Sequence, residues 1–286
     1  MNLKDVQNTF HLELDAVYDK EEVDSFFFML IESYYNVSRL KLAMEPNLSV
    51  DGYEAILNAL NLLKEEQPIQ YILGESEFYG LPFKVNQYTL IPRPETEELV
   101  AWIISKFKNQ NSEIRILDVG TGSGCIAVSL AKNLPNAKVY ALDVSNEAIR
   151  MAKKNAQLND VTVEFIEADI LKPETWGPDF SKMTFDVIVS NPPYVREQEK
   201  QLMKPNVLNN EPHLALFVND ENPLLFYKAI TEFAVKNLTE NGELFFEINE
   251  YLGKEMIQLL VNNNFKNIEL KQDIFKKDRM IKGENN

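Results

Sequence analysis

The sequence predicts an α/β fold, a mostly parallel seven-stranded sheet preceded by a small all-helical domain, on three observations. From Glu113 onward, short apolar runs alternate with segments of helical periodicity, the order that builds a parallel sheet with helices on both faces. Before residue 74 only helical spacing occurs. Between the two lies a stretch in which Gly and Pro punctuate short β-prone pieces.

In chain order, Val23, Phe26, Phe27, Leu30 and Ile31 recur at helical spacing, and Ile56, Leu57, Leu60 and Leu63 form a second stripe. Residues 1–74 are therefore read as a helical domain that, having no catalytic cluster, serves to position a partner. Residues 75–95 are read as a hairpin-like connector, with Phe78-Tyr79 and Phe83-Lys84-Val85 as its β-prone pieces and Gly74, Gly80, Pro82, Pro92 and Pro94 as punctuation. A helix beginning at Glu95 or Thr96 opens the domain of residues 96–286, with Leu99, Val100, Ile103 and Ile104 on its apolar face. Strands are expected at 114–119, 138–142, 161–166, 185–190 and 243–248, and helices at 125–133, 146–158, 224–238 and 251–262. Two short strands, 266–272 and 279–283, would close the sheet as an antiparallel edge pair.

Composition bounds the function. The 286 residues are 45% hydrophobic, enough for a sizeable core. A formal net charge of −15 argues against life on a phosphate backbone, so no direct nucleic-acid partner is expected. The single cysteine, Cys125, excludes an intrachain disulfide, and the apolar run at 26–31 is too short to span a bilayer. With no basic-then-apolar leader at the start, the expectation is a cytoplasmic monomer without membrane contact.

Two loops carry the chemistry. Asp118-Val119-Gly120-Thr121-Gly122-Ser123-Gly124 follows the first strand and opens a helix, so backbone N–H groups and a helix N-terminus face whatever binds there. Its spacing is GxGxG, not the dinucleotide fingerprint GxGxxG, which counts against NAD. Asp143, ending the second strand, is placed to accept both ribose hydroxyls of an adenosine; the alternative is a cap for the helix at Asn146. Asp169, after the third strand, is placed for an adenine amino group; the alternative is a turn residue. Gly120, Thr121, Gly122, Gly124, Asp143, Val144, Asp169 and Ile170 are thus the candidate cofactor residues, and Cys125 is read as a small buried helix residue. An acidic residue before the glycine loop and another after the second strand resemble the S-adenosylmethionine site of the class I methyltransferases, a resemblance covering residues 113–286.

The second loop is Asn191-Pro192-Pro193-Tyr194, delivered by the apolar strand that starts at Phe185. The prolines have fixed φ and no N–H, so the strand stops there and holds an amide, carbonyls and an aromatic ring in a stiff frame. A carboxamide nitrogen accepts a methyl poorly because its lone pair is delocalised. The Asn191 side-chain oxygen and the Pro192 carbonyl, by accepting from both its N–H groups, would draw that lone pair out, with Tyr194 stacked on the planar acceptor.

This motif resembles that of methyltransferases acting on planar amides and exocyclic amines, adenine-N6 DNA enzymes included. With Pro68-Ile69-Gln70-Tyr71-Ile72-Leu73-Gly74, Phe78-Tyr79-Gly80, Leu90-Ile91-Pro92-Arg93-Pro94-Glu95-Thr96-Glu97, Asp118 through Gly124 and Glu211-Pro212-His213-Leu214-Ala215-Leu216, nearly the full chain resembles the release-factor glutamine methyltransferase family. The resemblance implies S-adenosylmethionine as cofactor, the glutamine of the Gly-Gly-Gln motif of class 1 peptide release factors as substrate, and contact of the helical domain with the factor. It implies that Asn191, Pro192, Pro193, Tyr194 and Glu211 bind the substrate, with Asn191, Pro192 and Tyr194 at the transfer itself. Asn191 would also border the cofactor, and Arg93 and Thr96 would form cofactor-pocket wall and interdomain contact, their alternatives being a surface ion pair and a helix cap.

Two departures from the family pattern, a missing glycine between Asp273 and Asp278 and the sequence Glu247-Ile248-Asn249-Glu250, are expected to lie away from the chemistry. Glu211 with His213 is not read as a metal pair, since His11 is the only other histidine. Competing readings are a ribosomal-protein glutamine methyltransferase, a nucleic-acid adenine-N6 methyltransferase, and a non-catalytic binding protein.

Overall fold

Val187, Ile188 and Val189 are fully buried at the centre of the sheet, as three β-branched residues in succession favour. The computed structural model describes residues 2–286, Thr175 by its backbone alone; residue 1, within the span expected to be helical, lies outside them. Its order is α1 (Leu3–Leu14), α2 (Lys20–Tyr35), α3 (Arg39–Met44), α4 (Glu54–Lys64), α5 (Ile69–Leu73), β1 (Glu75–Phe78), β2 (Leu81–Lys84), α6 (Pro94–Phe107), β3 (Ile114–Val119), α7 (Cys125–Asn133), β4 (Ala137–Asp143), α8 (Asn146–Leu158), β5 (Glu164–Glu167) and β6 (Phe185–Ser190). It continues with β7 (Val195–Arg196), α9 (Pro205–Asn210), α10 (His213–Leu216), β8 (Phe217–Val218), α11 (Leu225–Asn237), β9 (Leu238–Glu247), α12 (Gly253–Asn262), β10 (Lys266–Gln272) and β11 (Asp278–Glu284).

Two compact units result, residues 1–74 with 204–210, and residues 75–203 with 211–286. In the first, Phe10, Phe27, Leu30, Ile56, Leu60 and Leu63 form one core beneath α1, α2 and α4, so the two apolar stripes read from sequence face each other. The segment 204–210 joins this unit although it lies far along the chain, and Asn210 donates its side-chain amide to the Glu66 carbonyl.

In the second unit the seven-stranded sheet has the order β10-β11-β9-β6-β3-β4-β5. Pairings β9–β6, β6–β3, β3–β4 and β4–β5 are parallel, while β11 runs antiparallel to both β9 and β10. A mostly parallel sheet with helices is thus present, and β11 alone is reversed. From β3 the chain first builds outward through β4 and β5, then returns to lay β6 on the other side of β3. That reversal leaves a crevice at the carboxyl ends of β3 and β6, where Val119 pairs with Ser190.

Local chemistry moved several boundaries. The third parallel strand in sequence, β5, begins at Glu164 and not at 161, because the Val161 N–H is spent on the Ala156 carbonyl at 3.0 Å, closing the end of α8. The helix after β9 begins at Gly253 and not at 251, because Asn249 Oδ1 accepts the Tyr251 N–H at 3.0 Å and turns the chain first. Strand β9 starts at Leu238, five residues before the expected start, with Asn241 at φ 63° in an irregular stretch facing β6. Tyr79 sits in the β1–β2 turn at φ 52°, not in a strand, and its N–H is held by the Glu97 carboxylate at 2.7 Å. Asn155 of α8 grips β2 by bonding both the N–H and the carbonyl of Lys84.

Candidate functional site

At the crevice lies a cavity of about 300 Å³, within the range of small-molecule sites. Its floor is the glycine loop. Gly120 and Thr121 donate their N–H groups to the Leu142 carbonyl at 2.8 and 3.0 Å, which ties the loop to the end of β4. Gly120, Gly122 and Gly124 have φ of 76°, 54° and 82°, a region L side chains rarely enter. The first two face open space where a Cβ would project, whereas a Cβ on Gly124 would meet the Ala152 Cβ at 2.9 Å.

Gly124 therefore lets α7 pack against α8, and unlike Gly120, Thr121 and Gly122 it does not line the cavity. Gly124→Ala is expected to lower the melting temperature by about 4–8 °C, from the cost of the left-handed backbone and the forced displacement of α8. Differential scanning calorimetry reads this directly.

Asp143 lines the cavity and accepts the Gly122 N–H on Oδ2 and the Ser145 N–H on Oδ1, both at 2.9 Å. Burial pushes its carboxyl up, opposed by these backbone bonds. It does not cap α8; Ser145 does, accepting the Ala148 N–H at 3.2 Å. Asp169 serves as a turn residue, accepting the Leu171 N–H at 2.9 Å, and also lines the cavity, as do Val144 and Ile170. Asp118 lies behind the loop, fully buried and bonded to the Thr121 hydroxyl at 2.7 Å, its carboxyl pushed up to about 7 by burial. Cys125 is half-buried and lines the cavity instead of lying wholly in the core, and burial raises its thiol to about 12, which keeps it inert.

The second wall is the loop after β6. Ser190 Oγ donates to the Val119 carbonyl at 2.6 Å, locking the ends of the two strands together. Asn191, Pro192 and Pro193 line the cavity. The Asn191 Nδ2 donates to Thr96 Oγ1 at 3.1 Å, and no described residue hydrogen-bonds its Oδ1. Tyr194 is not part of the cavity lining; its hydroxyl donates to Glu247 Oε1 at 2.9 Å.

Thr96, also in the cavity wall, is no cap but the third residue of α6, whose first is Pro94. Its hydroxyl donates to Glu247 Oε2 at 2.6 Å. Arg93 lines the cavity and pairs with Glu211, which is 3% exposed and also accepts the Ile91 N–H at 3.2 Å. Glu211 thus lies outside the cavity lining and fastens the segment that carries Ile91 and Arg93.

One departure, at Asn249, lies against the Asn-Pro-Pro-Tyr loop, contrary to expectation, whereas the segment between Asp273 and Asp278 bonds Glu98 and Glu250. Asn249 Nδ2 donates to the Tyr194 carbonyl at 3.1 Å, and Arg279, paired with Asp273, reaches the Ile248 carbonyl at 3.4 Å. The residue that sequence reasoning missed is Glu247. The signal was a carboxylate inside the apolar run Leu244-Phe245-Phe246-Glu247-Ile248, which is costly to bury unless its oxygens are claimed.

Comparison with known proteins places this architecture. The family described as Methyltransferase small domain matches residues 100–216. A release factor glutamine methyltransferase from Flavobacterium psychrophilum is 53% identical over 99% of both chains. The chain belongs to the release factor glutamine methyltransferase family. A second member, from Bacteroides thetaiotaomicron, is 43% identical over 94% of this chain and 95% of its own. Among solved structures, the hMettl16 catalytic domain shares the fold at TM-score 0.55 and 18% identity, over 72% of this chain and 76% of that one. No helix among the described residues is long and apolar enough to cross a membrane, and they hold no group of three or more His, Cys, Asp or Glu side chains placed to bind a metal ion.

Proposed function

We propose that this protein transfers a methyl group from S-adenosylmethionine to the side-chain N5 of the glutamine in the Gly-Gly-Gln motif of class 1 peptide chain release factors. The observation that carries the reading is the Asn191 amide, held by its NH₂ end so that Oδ1 remains as an acceptor in the wall that Pro192 and the glycine loop also line. Family membership supports the substrate.

The cavity suits the cofactor. Gly120 and Gly122 leave open space where a side chain would stand, and Asp143 presents a half-buried carboxylate whose oxygens each retain a lone pair for a ribose hydroxyl. Thr121, Val144, Asp169 and Ile170 complete that wall, with Asp169 toward the adenine amino group. When bound, the cofactor supplies an electrophilic methyl on a sulfonium and leaves as S-adenosylhomocysteine.

The protein's part is to bind and orient. Asn191 Oδ1 and the Pro192 carbonyl accept the two N–H groups of the glutamine amide, raising electron density at nitrogen and stabilising the positive charge that develops there. Pro192 and Pro193 keep these acceptors from turning. Tyr194, its hydroxyl anchored to Glu247, packs its ring against the amide plane and excludes water. The amide nitrogen would take the methyl as the S–CH₃ bond breaks and would release one amide proton to solvent, so no strong base is required. Residues 1–74 contact the release factor.

Mass spectrometry of a release factor incubated with the enzyme and S-adenosylmethionine is expected to show one added methyl. A factor whose Gly-Gly-Gln glutamine has been replaced gains none. Equal labelling of that variant, or methyl incorporation into DNA with no labelled factor, would overturn the reading.

A further inference from the structure

We propose that Glu247 is a positioning residue that, acting through the Thr96 hydroxyl, fixes which end of the Asn191 side-chain amide faces the acceptor. The inference rests on the amide-methylation reading, because only there does the polarity of Asn191 decide turnover. The two ends of a carboxamide have nearly the same shape, so packing alone does not select one. Hydrogen-bond direction does.

An ionised carboxylate has no proton to give. With Glu247 Oε2 at 2.6 Å, the single proton of the Thr96 hydroxyl is committed to it. Thr96 then turns only lone pairs toward Asn191, and only the NH₂ end can meet them, at 3.1 Å. The oxygen end is left for the substrate. A reversed amide would set donors against the N–H groups of the glutamine and could not bind them.

The geometry makes Glu247 a hub. It ends β9, next to β6, one residue beyond Phe246, the register partner of Ser190. Its second oxygen accepts the Tyr194 hydroxyl at 2.9 Å, so one carboxylate holds the last residue of the Asn-Pro-Pro-Tyr loop directly and the first through Thr96. At 1% exposure it is shielded from water that would otherwise blur the direction of these bonds.

The same chain predicts a pH signature. Burial raises the Glu247 carboxyl, opposed by the Thr96 and Tyr194 hydrogen bonds and by the Arg279 charge, and reinforced by Glu95. The other ionisable groups around it are Tyr227, whose hydroxyl donates to the Glu247 carbonyl at 3.1 Å, Cys125, and Asp273 behind Arg279. Once protonated, Glu247 can donate to Thr96, whose own proton is then free for Asn191 Oδ1. Turnover should therefore decline as pH falls through the raised Glu247 value.

Thr96→Val, Thr96→Ser and Glu247→Gln decide the matter. Thr96→Val is expected to lower kcat about ten-fold or more at saturating cofactor, with cofactor Kd within about three-fold, and Thr96→Ser to recover most of the loss. Glu247→Gln, which can offer Thr96 either a donor or an acceptor, is expected to lower kcat several-fold and to remove the acid limb of its pH profile. Side-chain amide NMR gives a readout independent of activity: the Asn191 NH₂ pair should shift and exchange faster in Thr96→Val. Wild-type kcat and an intact acid limb in both Thr96→Val and Glu247→Gln, or unchanged Asn191 NH₂ signals in Thr96→Val, would overturn the proposal. If Glu247→Gln does not fold, Thr96→Val, a hydroxyl replaced by a methyl, carries the decision. If the wild-type protein methylates no release factor, the functional reading fails, while the NMR comparison still decides the polarity of Asn191.

Discussion

Asn191→Ala is expected to lower kcat by about 10²–10³-fold while cofactor Kd stays within about three-fold. The substitution removes one of the two acceptors proposed for the glutamine amide and leaves the glycine loop and Asp143 in place. The loss should fall on kcat because the interaction strengthens as the nitrogen gains positive charge. Pro192, fixed by its own ring, keeps its carbonyl in position, so residual turnover reports the contribution of one acceptor. Methyl incorporation into a release factor measures kcat, and isothermal titration with S-adenosylmethionine measures Kd. Turnover equal to wild type would refute the amide-binding role of Asn191.

Asp143→Ala is expected to act in the opposite sense, weakening cofactor Kd by about 100-fold or more with a smaller effect on kcat at saturation. The two charge-assisted hydrogen bonds proposed to the ribose would be lost, each worth about 1.5–3 kcal/mol. The Gly122 and Ser145 N–H groups also lose their acceptor, so the loop loosens where the ligand must sit. Because burial raises the Asp143 carboxyl, wild-type affinity should weaken as pH falls through that raised value, and Asp143→Ala should lose this dependence. Titration at several pH values checks both. Unchanged affinity in the variant would remove Asp143 from the cofactor site.

The sequence announces those parts of the fold and site whose chemistry is local. Val187 to Val189 are β-branched and the following prolines stop the strand; Gly120 and Gly122 adopt backbone conformations that other residues resist. Such properties belong to a few adjacent residues. What stayed hidden depends on partners distant in sequence. Thr96 and Asn191 are 95 positions apart, and Thr96 and Glu247 are 151 apart. Glycine spacing likewise did not separate Gly122, which faces the cavity, from Gly124, which faces Ala152. Asn249 carries the same lesson: as a motif letter it suggested a remote loop, and in three dimensions it holds the Tyr194 carbonyl. Buried polar residues in apolar runs were the readable trace of these contacts, because such residues persist where something claims their lone pairs.

The reach of Glu247 across the chain has a consequence for biosynthesis. The cavity wall proposed for the cofactor, from Gly120 to Ile170, leaves the ribosome well before the strand that ends at Glu247. A nascent chain can therefore have the whole sequence of that wall while its Asn-Pro-Pro-Tyr segment still lacks the carboxylate that orients it. Translation order alone thus delays acceptor competence until most of the polypeptide has emerged.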